Sequence, residues 1–396
     1  MQILLTFATV IIWDALFFFI TRLYSYLNLK LWILAFAIYF IPAFYLPVIQ
    51  DVGLFETVGI KLLERVDFYA FDGPNHGTFP FLPFMNWFYA ISHVLSKETD
   101  LPFIFFVRLL MIAAVFGTTI LIGKLNRVKG VKKDQLFFLF NPVNLLVFSL
   151  HGQADILLIF FTLFSVFFLT SKKKSAFKSA VLMAISVLIK TWSIIFIPLF
   201  LIKLKNFPQI VTWLLTLIFI IGLTTSLYVK LFHSSFSLIT ETLNSHVGGA
   251  AGFWGYTGLL NLISKLIPSA SLLINTLERN AIYSLIIAFG VIYFVIIKKH
   301  TPLLTSMVIF LLTFKLVSPG WGLQYTAWIL PFAVASGMSK DFKTYSLLAI
   351  LYLSLSYLLA VPSSQLQNQF LIFTSIALGL IVWIYVIYWL VQLIKK

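Results

Sequence analysis

The sequence has no cysteine, and only 13 acidic residues against 28 Lys and Arg in a chain of 396. The first absence removes disulfides, thiolate nucleophiles and cysteine metal sites. Charged residues make up 10% of the chain, where a soluble domain carries about a quarter, and 61% is hydrophobic. A soluble fold of this length would lack the polar residues to cover itself. Apolar runs of transmembrane length recur from end to end. They are continuous rather than alternating, which selects helices over a β-barrel. The first apolar run has no basic leader and no small-residue cleavage site, so the N-terminus reads as a retained segment. No H-E-x-x-H, Walker or dinucleotide pattern occurs.

What is present is a repeated pattern of apolar runs and short basic clusters. Candidate spanning segments lie at 3–20, 31–49, 101–122, 136–150, 156–170, 179–189, 192–202, 209–229, 281–297, 302–316, 323–337, 344–361 and 370–392. Several are shorter than the roughly 20 residues of a full crossing and are expected to dip part way or line a cavity. The first contains Asp14, so it either spans or lies at the interface. The clusters are Lys124 to Lys133, Lys172 to Lys178, Lys203 with Lys205, Lys298 with Lys299, Lys340 with Lys343, and Lys395 with Lys396. An even number of crossings separates each from the next, so all fit one cytoplasmic side together with Arg22 and Lys30. The net charge of +15 therefore records orientation; no polar module presents a basic face to nucleic acid.

The expected architecture is an all-α polytopic membrane protein of about 12–13 helices. It forms a single domain over residues 1–396 with a cytoplasmic C-terminus. Residues 50–101 form a long first outer loop, and residues 230–279 a second that contains an interfacial amphipathic helix near 258–275. The membrane is the plasma membrane in a prokaryote and an ER-type membrane in a eukaryote.

Polar groups collect on the outer side. Asp51, His151, Gln153, Asp155, Lys190, Lys315 and Gln324 all fall at outer ends of apolar runs, where unpaired ionisable groups are costly and mark a site. Each has a plainer reading. Asp51 opens an amphipathic helix (Val52, Phe55, Val58, Gly59, Leu62, Leu63, Val66 on one face) and can simply cap it. Lys190 and Lys315 either snorkel to the interface or hold a phosphate as point charges. Arg108 does the same or pairs with a buried carboxylate. In the second loop His246, Trp254 and Tyr256 lie among glycines, a pattern that suits either a flexible interfacial loop or rings stacked on a sugar or acyl chain. A transporter would scatter such groups about the midplane of two repeats, and no internal repeat is evident.

Assembled in order, these residues resemble the GT-C integral-membrane glycosyltransferases, in particular the polyprenyl- or dolichyl-phosphate-mannose-dependent mannosyltransferases. The likeness rests on Gln50-Asp51-Val52, on Asn141-Pro142 with His151-Gly152-Gln153-Ala154-Asp155 and Lys190, and on Lys315 to Pro319 with Gln324-Tyr325, Trp328 and Pro331. It implies a GT-C-like bundle and inverting transfer of a sugar, mannose first, from a polyprenyl-phosphate donor to a lipid-linked or cell-surface glycan acceptor on the outer face. It makes Asp51 the general base, and Lys190, Lys315 and Arg108 the contacts to the donor phosphate. His151, Gln153, Asp155, Gln324, Tyr325, His246 and Trp254 would shape the site or bind acceptor. A phosphate leaving group needs charge stabilisation rather than a strong acid, so one carboxylate suffices where a glycosidase uses two. Many relatives place two acids together in the first outer loop; here Glu56 stands five positions after Asp51. Asp51, Glu56 and Asp72 are the candidate oxygen ligands for a divalent cation but do not spell a hard-cation cage, so the expectation is metal-independent transfer with no cofactor, a divalent cation being the alternative. The alternatives are the same enzyme class using glucose or a pentose, and a flippase of lipid-linked glycans.

Overall fold

Helix forms wherever the sequence is apolar. The structure, a computed structural model, describes residues 2–45, 50–70, 81–125, 131–171, 175–204, 206–244, 250–251, 254–360 and 369–395. Among these, only Ala250–Ala251 and Gly320–Trp321 are strands, paired antiparallel. Among the described residues, five helices are long and apolar enough to cross a membrane: Phe103–Leu125, Phe207–Phe232, Ala281–Lys299, Ser339–Leu359 and Phe370–Lys395. There are six if Lys133–Leu150 and Asp155–Thr170 are taken together as one span. Shorter apolar helices include Leu29–Tyr45, Ala176–Ile189 and Leu303–Val317, while the apolar first helix, Gln2–Leu23, has 22 residues. The apolar runs marked in the sequence are helical over their described residues, and several are shorter than a full crossing. Phe219 and Phe294 are 66% and 67% exposed on two of the long helices. Such surfaces belong in hydrocarbon, as in a multi-pass membrane protein.

The chain divides into two compact units of interleaved segments. One unit comprises residues 29–125 and 148–246. Here Asp155–Thr170 packs between Phe103–Leu125 and Ala176–Ile189, and the latter also packs on Phe207–Phe232. Small hydroxylic residues line these contacts. Thr162 and Ser186 share a hydrogen bond of 2.7 Å, Ser165 donates to the Ser179 carbonyl at 2.7 Å, and Trp213 Nε1 donates to Ser179 Oγ at 3.1 Å. Without a hydrophobic drive between helices in lipid, close packing and such bonds hold them together. The amphipathic helix foreseen after Asp51 forms as Gln50–Leu63, with Phe55, Val58 and Leu62 buried. It lies along Phe84–Thr99, and Phe55 stacks on Tyr89 at 4.9 Å.

The other unit comprises residues 1–28, 126–147 and 247–396. Its apolar run around 136–150 is interrupted by Asn141-Pro142. Asn141 Oδ1 accepts from the Val143 N–H at 3.0 Å with Pro142 opening the new turn, a cap that restarts the helix, while its Nδ2 donates to Ser346 Oγ at 3.0 Å. Leu145–Leu150 then continues as π-helix, a form that often marks functional positions. Ser339–Ala360 pairs with Gln369–Lys395, and Gly255–Ser264 packs on the latter.

Candidate active site

The first group of polar residues lies in the unit of residues 29–125 and 148–246. Two helices stop short here. Ala176–Ile189 ends at Lys190, whose extended backbone (φ −157°, ψ 126°) separates it from the tight helix Thr191–Phe196. Asp155 begins Asp155–Thr170 after the His151 to Ala154 turn. The two ends meet in a buried ion pair: Lys190 Nζ donates to Asp155 Oδ1 at 3.1 Å and to Oδ2 at 3.0 Å. Trp192 Nε1 adds a third bond to Oδ1 at 3.1 Å. The carboxylate is fully buried and sits in the first turn of its helix, where free N–H groups favour negative charge. The Phe81 ring lies 5.3 Å from Lys190 Nζ. Burial, with the Asp155 charge adding to it, pushes the nearby Tyr89 phenol well above its ordinary range, so it stays neutral.

Gln153 Nε2 lies 2.8 Å from His151 Nε2. Gly152 between them has φ +76°, and its Cα rests against Ile104 and the Arg108 stem, where a Cβ would come to 3.2 Å and 3.7 Å. A side chain there is strained by conformation and space alike. Arg108 is fully buried; Nη1 donates to the Ala43 carbonyl at 3.1 Å and Nη2 to the Leu150 carbonyl at 2.6 Å. Both carbonyls lie at the ends of helical stretches, where backbone acceptors lack intrahelical partners and a cation is favoured. Lys190 is neutralised by Asp155, and Arg108 ties helix ends together.

The second group belongs to the other unit. Lys315, at the end of Leu303–Val317, is fully buried; Nζ donates to the Tyr325 carbonyl at 2.5 Å and lies 5.5 Å from the Tyr345 ring. Trp254 Nε1 donates to the Lys315 carbonyl at 3.0 Å. Tyr325 stacks against Trp328 at 4.2 Å, and Gln324 is partly exposed beside Gly322. Lys315, Trp254, Gln324 and Tyr325 thus come together within this unit, while His151, Gln153, Asp155, Lys190 and Arg108 belong to the other.

Asp51 lies in Gln50–Leu63, but its side chain falls outside the described residues, as do Asp72 and His246. Glu56 is taken up by His93, with Nδ1 3.1 Å from Oε1. The sequence reading missed Trp192, Tyr89 and Phe81 around the ion pair. It also missed Asp67, whose Oδ1 accepts from Tyr228 Oη at 3.0 Å and from the Tyr69 N–H at 3.1 Å. Trp192 alone carried a local signal, standing two residues after Lys190 at the same helix break.

No curated protein and no solved structure matches the chain. The model of glycosyltransferase family 87 matches residues 79–319. That span is more than half of the sequence; it takes in Arg108, the His151 to Asp155 turn, Lys190, Trp254 and Lys315, and begins after Asp51. The chain belongs to glycosyltransferase family 87.

Proposed function

We propose that this protein transfers a sugar, mannose in the first place, from a polyprenyl-phosphate donor to a lipid-linked or cell-surface glycan on the outer or luminal face of its membrane. The observation that carries the reading is membership in a glycosyltransferase family together with apolar helices that hold buried cations. A donor delivered by lipid suits a chain embedded in lipid. Asp51 takes the proton of the acceptor hydroxyl. The freed oxygen attacks the anomeric carbon as its bond to phosphate oxygen breaks, which inverts the configuration. The leaving polyprenyl phosphate carries the electron pair and needs a cation rather than a proton.

Lys190, Lys315 and Arg108 are the cations we assign to that phosphate, as the resemblance to polyprenyl-phosphate-dependent enzymes implies. His151, Gln153, Gln324 and Tyr325 are assigned to hydroxyl recognition. The test is transfer of labelled mannose from polyprenyl phosphate by purified wild type and Asp51→Asn. Turnover is expected to vanish in the variant with its thermal unfolding unchanged, and EDTA is expected to leave wild type active. Equal turnover in the two proteins would remove Asp51 as the base.

A further inference from the structure

The pair Ser339–Ala360 and Gln369–Lys395 provides a depth scale for the unit of residues 1–28, 126–147 and 247–396. The two helices run antiparallel. Ser356 and Ser375 share a hydrogen bond of 2.7 Å, Tyr352 lies against Gly379, and Tyr345 lies 5.8 Å from Trp389. Lys340 and Lys343 mark the basic end. Lys299 donates to the Ile394 carbonyl, which brings the last turn of Ala281–Lys299 to the same level. With 22 residues, Ser339–Ala360 spans about 33 Å, enough for a hydrocarbon core of about 30 Å.

On that scale Leu303–Val317, which starts from the basic end, has 15 residues and rises only about 22 Å. The chain beyond it stays low. Thr326 accepts through its carbonyl from Tyr345 Oη at 2.9 Å, and Tyr345 is only about 9 Å along its helix from Ser339. Residues 254–257 reach into the same depth range. Gly255 packs on Trp383 so closely that a Cβ would come within 2.6 Å of the ring, and Trp383 is about 21 Å along Gln369–Lys395. The two irregular segments are bound together. Ala250 pairs with Trp321 and Ala251 with Gly320; Tyr256 Oη donates to the Val317 carbonyl at 2.8 Å, and Thr257 Oγ1 to that of Pro319 at 2.9 Å.

Irregular backbone at membrane depth persists only where protein buries it or where it lines a water-filled cavity. Pro319 and Gly320 are buried, but Gly322 to Tyr325 are partly exposed. Two donors beside them, Thr326 Oγ1 and Trp383 Nε1, are buried without an acceptor among the described residues. We propose that residues 250–251, 254–257 and 318–325 form a re-entrant floor near the middle of the membrane. Water reaches this floor, and it receives the phosphate-bearing head group of a lipid-linked substrate. The identity of that ligand rests on the transfer reaction proposed above; the water-reached floor does not.

The absence of cysteine makes the test clean. Gln324→Cys and, separately, Leu323→Cys are reconstituted and treated with a membrane-impermeant cationic thiosulfonate. Leu351→Cys, at similar depth and 59% exposed on a spanning helix, serves as the lipid-facing control. We expect at least one of the first two to label an order of magnitude faster than the control. Polyprenyl monophosphate should slow that labelling several-fold, and inorganic phosphate at the same concentration should not. Labelling of both variants as slow as the control overturns the floor, whatever the transfer assay gives. Fast labelling indifferent to polyprenyl phosphate, or slowed equally by inorganic phosphate, overturns the ligand.

Discussion

Buried charge at a single residue is where this protein commits most. The Asp155–Lys190 pair is satisfied on both carboxylate oxygens and completed by Trp192. Removing one partner strands the other in a low-dielectric interior, at a cost of about 3–5 kcal/mol. Asp155→Leu and Lys190→Met are each expected to lower the unfolding temperature markedly in detergent, and the double variant to recover much of the loss. Tryptophan fluorescence on heating measures this; single variants as stable as wild type would deny the pair its structural weight. Asp155 and Lys190 were visible in the sequence as costly polar groups, because an ionisable residue in an apolar run is conspicuous. That they answer each other was not, since 35 positions separate them and only the fold brings the helix ends together. The Arg108 bonds to backbone carbonyls were hidden for a related reason, since a sequence does not display such acceptors.

Among elements, Gln50–Leu63 and Phe84–Thr99 cross closely at Gly59. A Cβ on Gly59 would fall 2.6 Å from both the carbonyl carbon and oxygen of Tyr89. Backbone cannot yield as a flexible side chain does, so Gly59→Ala is expected to destabilise by about 1–3 kcal/mol, read as a lower midpoint on heating. The helix was legible beforehand because its apolar residues recur at helical spacing. Its partner was not, because helix pairing depends on residues 84–99 that carry no matching signal. Apolar runs likewise located the spanning elements well. Run length misled where helices break: at Asn141-Pro142 a cap restarts the chain, and at Lys190 an extended residue stops it. Residues 250–257, read as part of an outer loop, carry polar and glycine residues that look solvent-bound until Trp254 and Tyr256 are seen donating to the 315–317 backbone.

For the whole molecule, orientation and chemistry remain tied to the charges. The positive-inside pattern predicts that Lys340 lies on the cytoplasmic side and Ser269 on the opposite side. In intact cells, Ser269→Cys should react with an impermeant maleimide and Lys340→Cys should react only after permeabilisation; the reverse result inverts the topology. The match to family 87 covers residues 79–319 and gives the reaction class, while the donor is inferred from a membrane-embedded chain with buried cations. The most direct test of the account offers the purified protein the same labelled sugar on polyprenyl phosphate and on a nucleoside diphosphate, with a glycolipid acceptor. The account predicts transfer from the polyprenyl-phosphate donor alone, with inverted anomeric configuration in the product. Transfer from the nucleotide sugar instead, or a retained configuration, would contradict it.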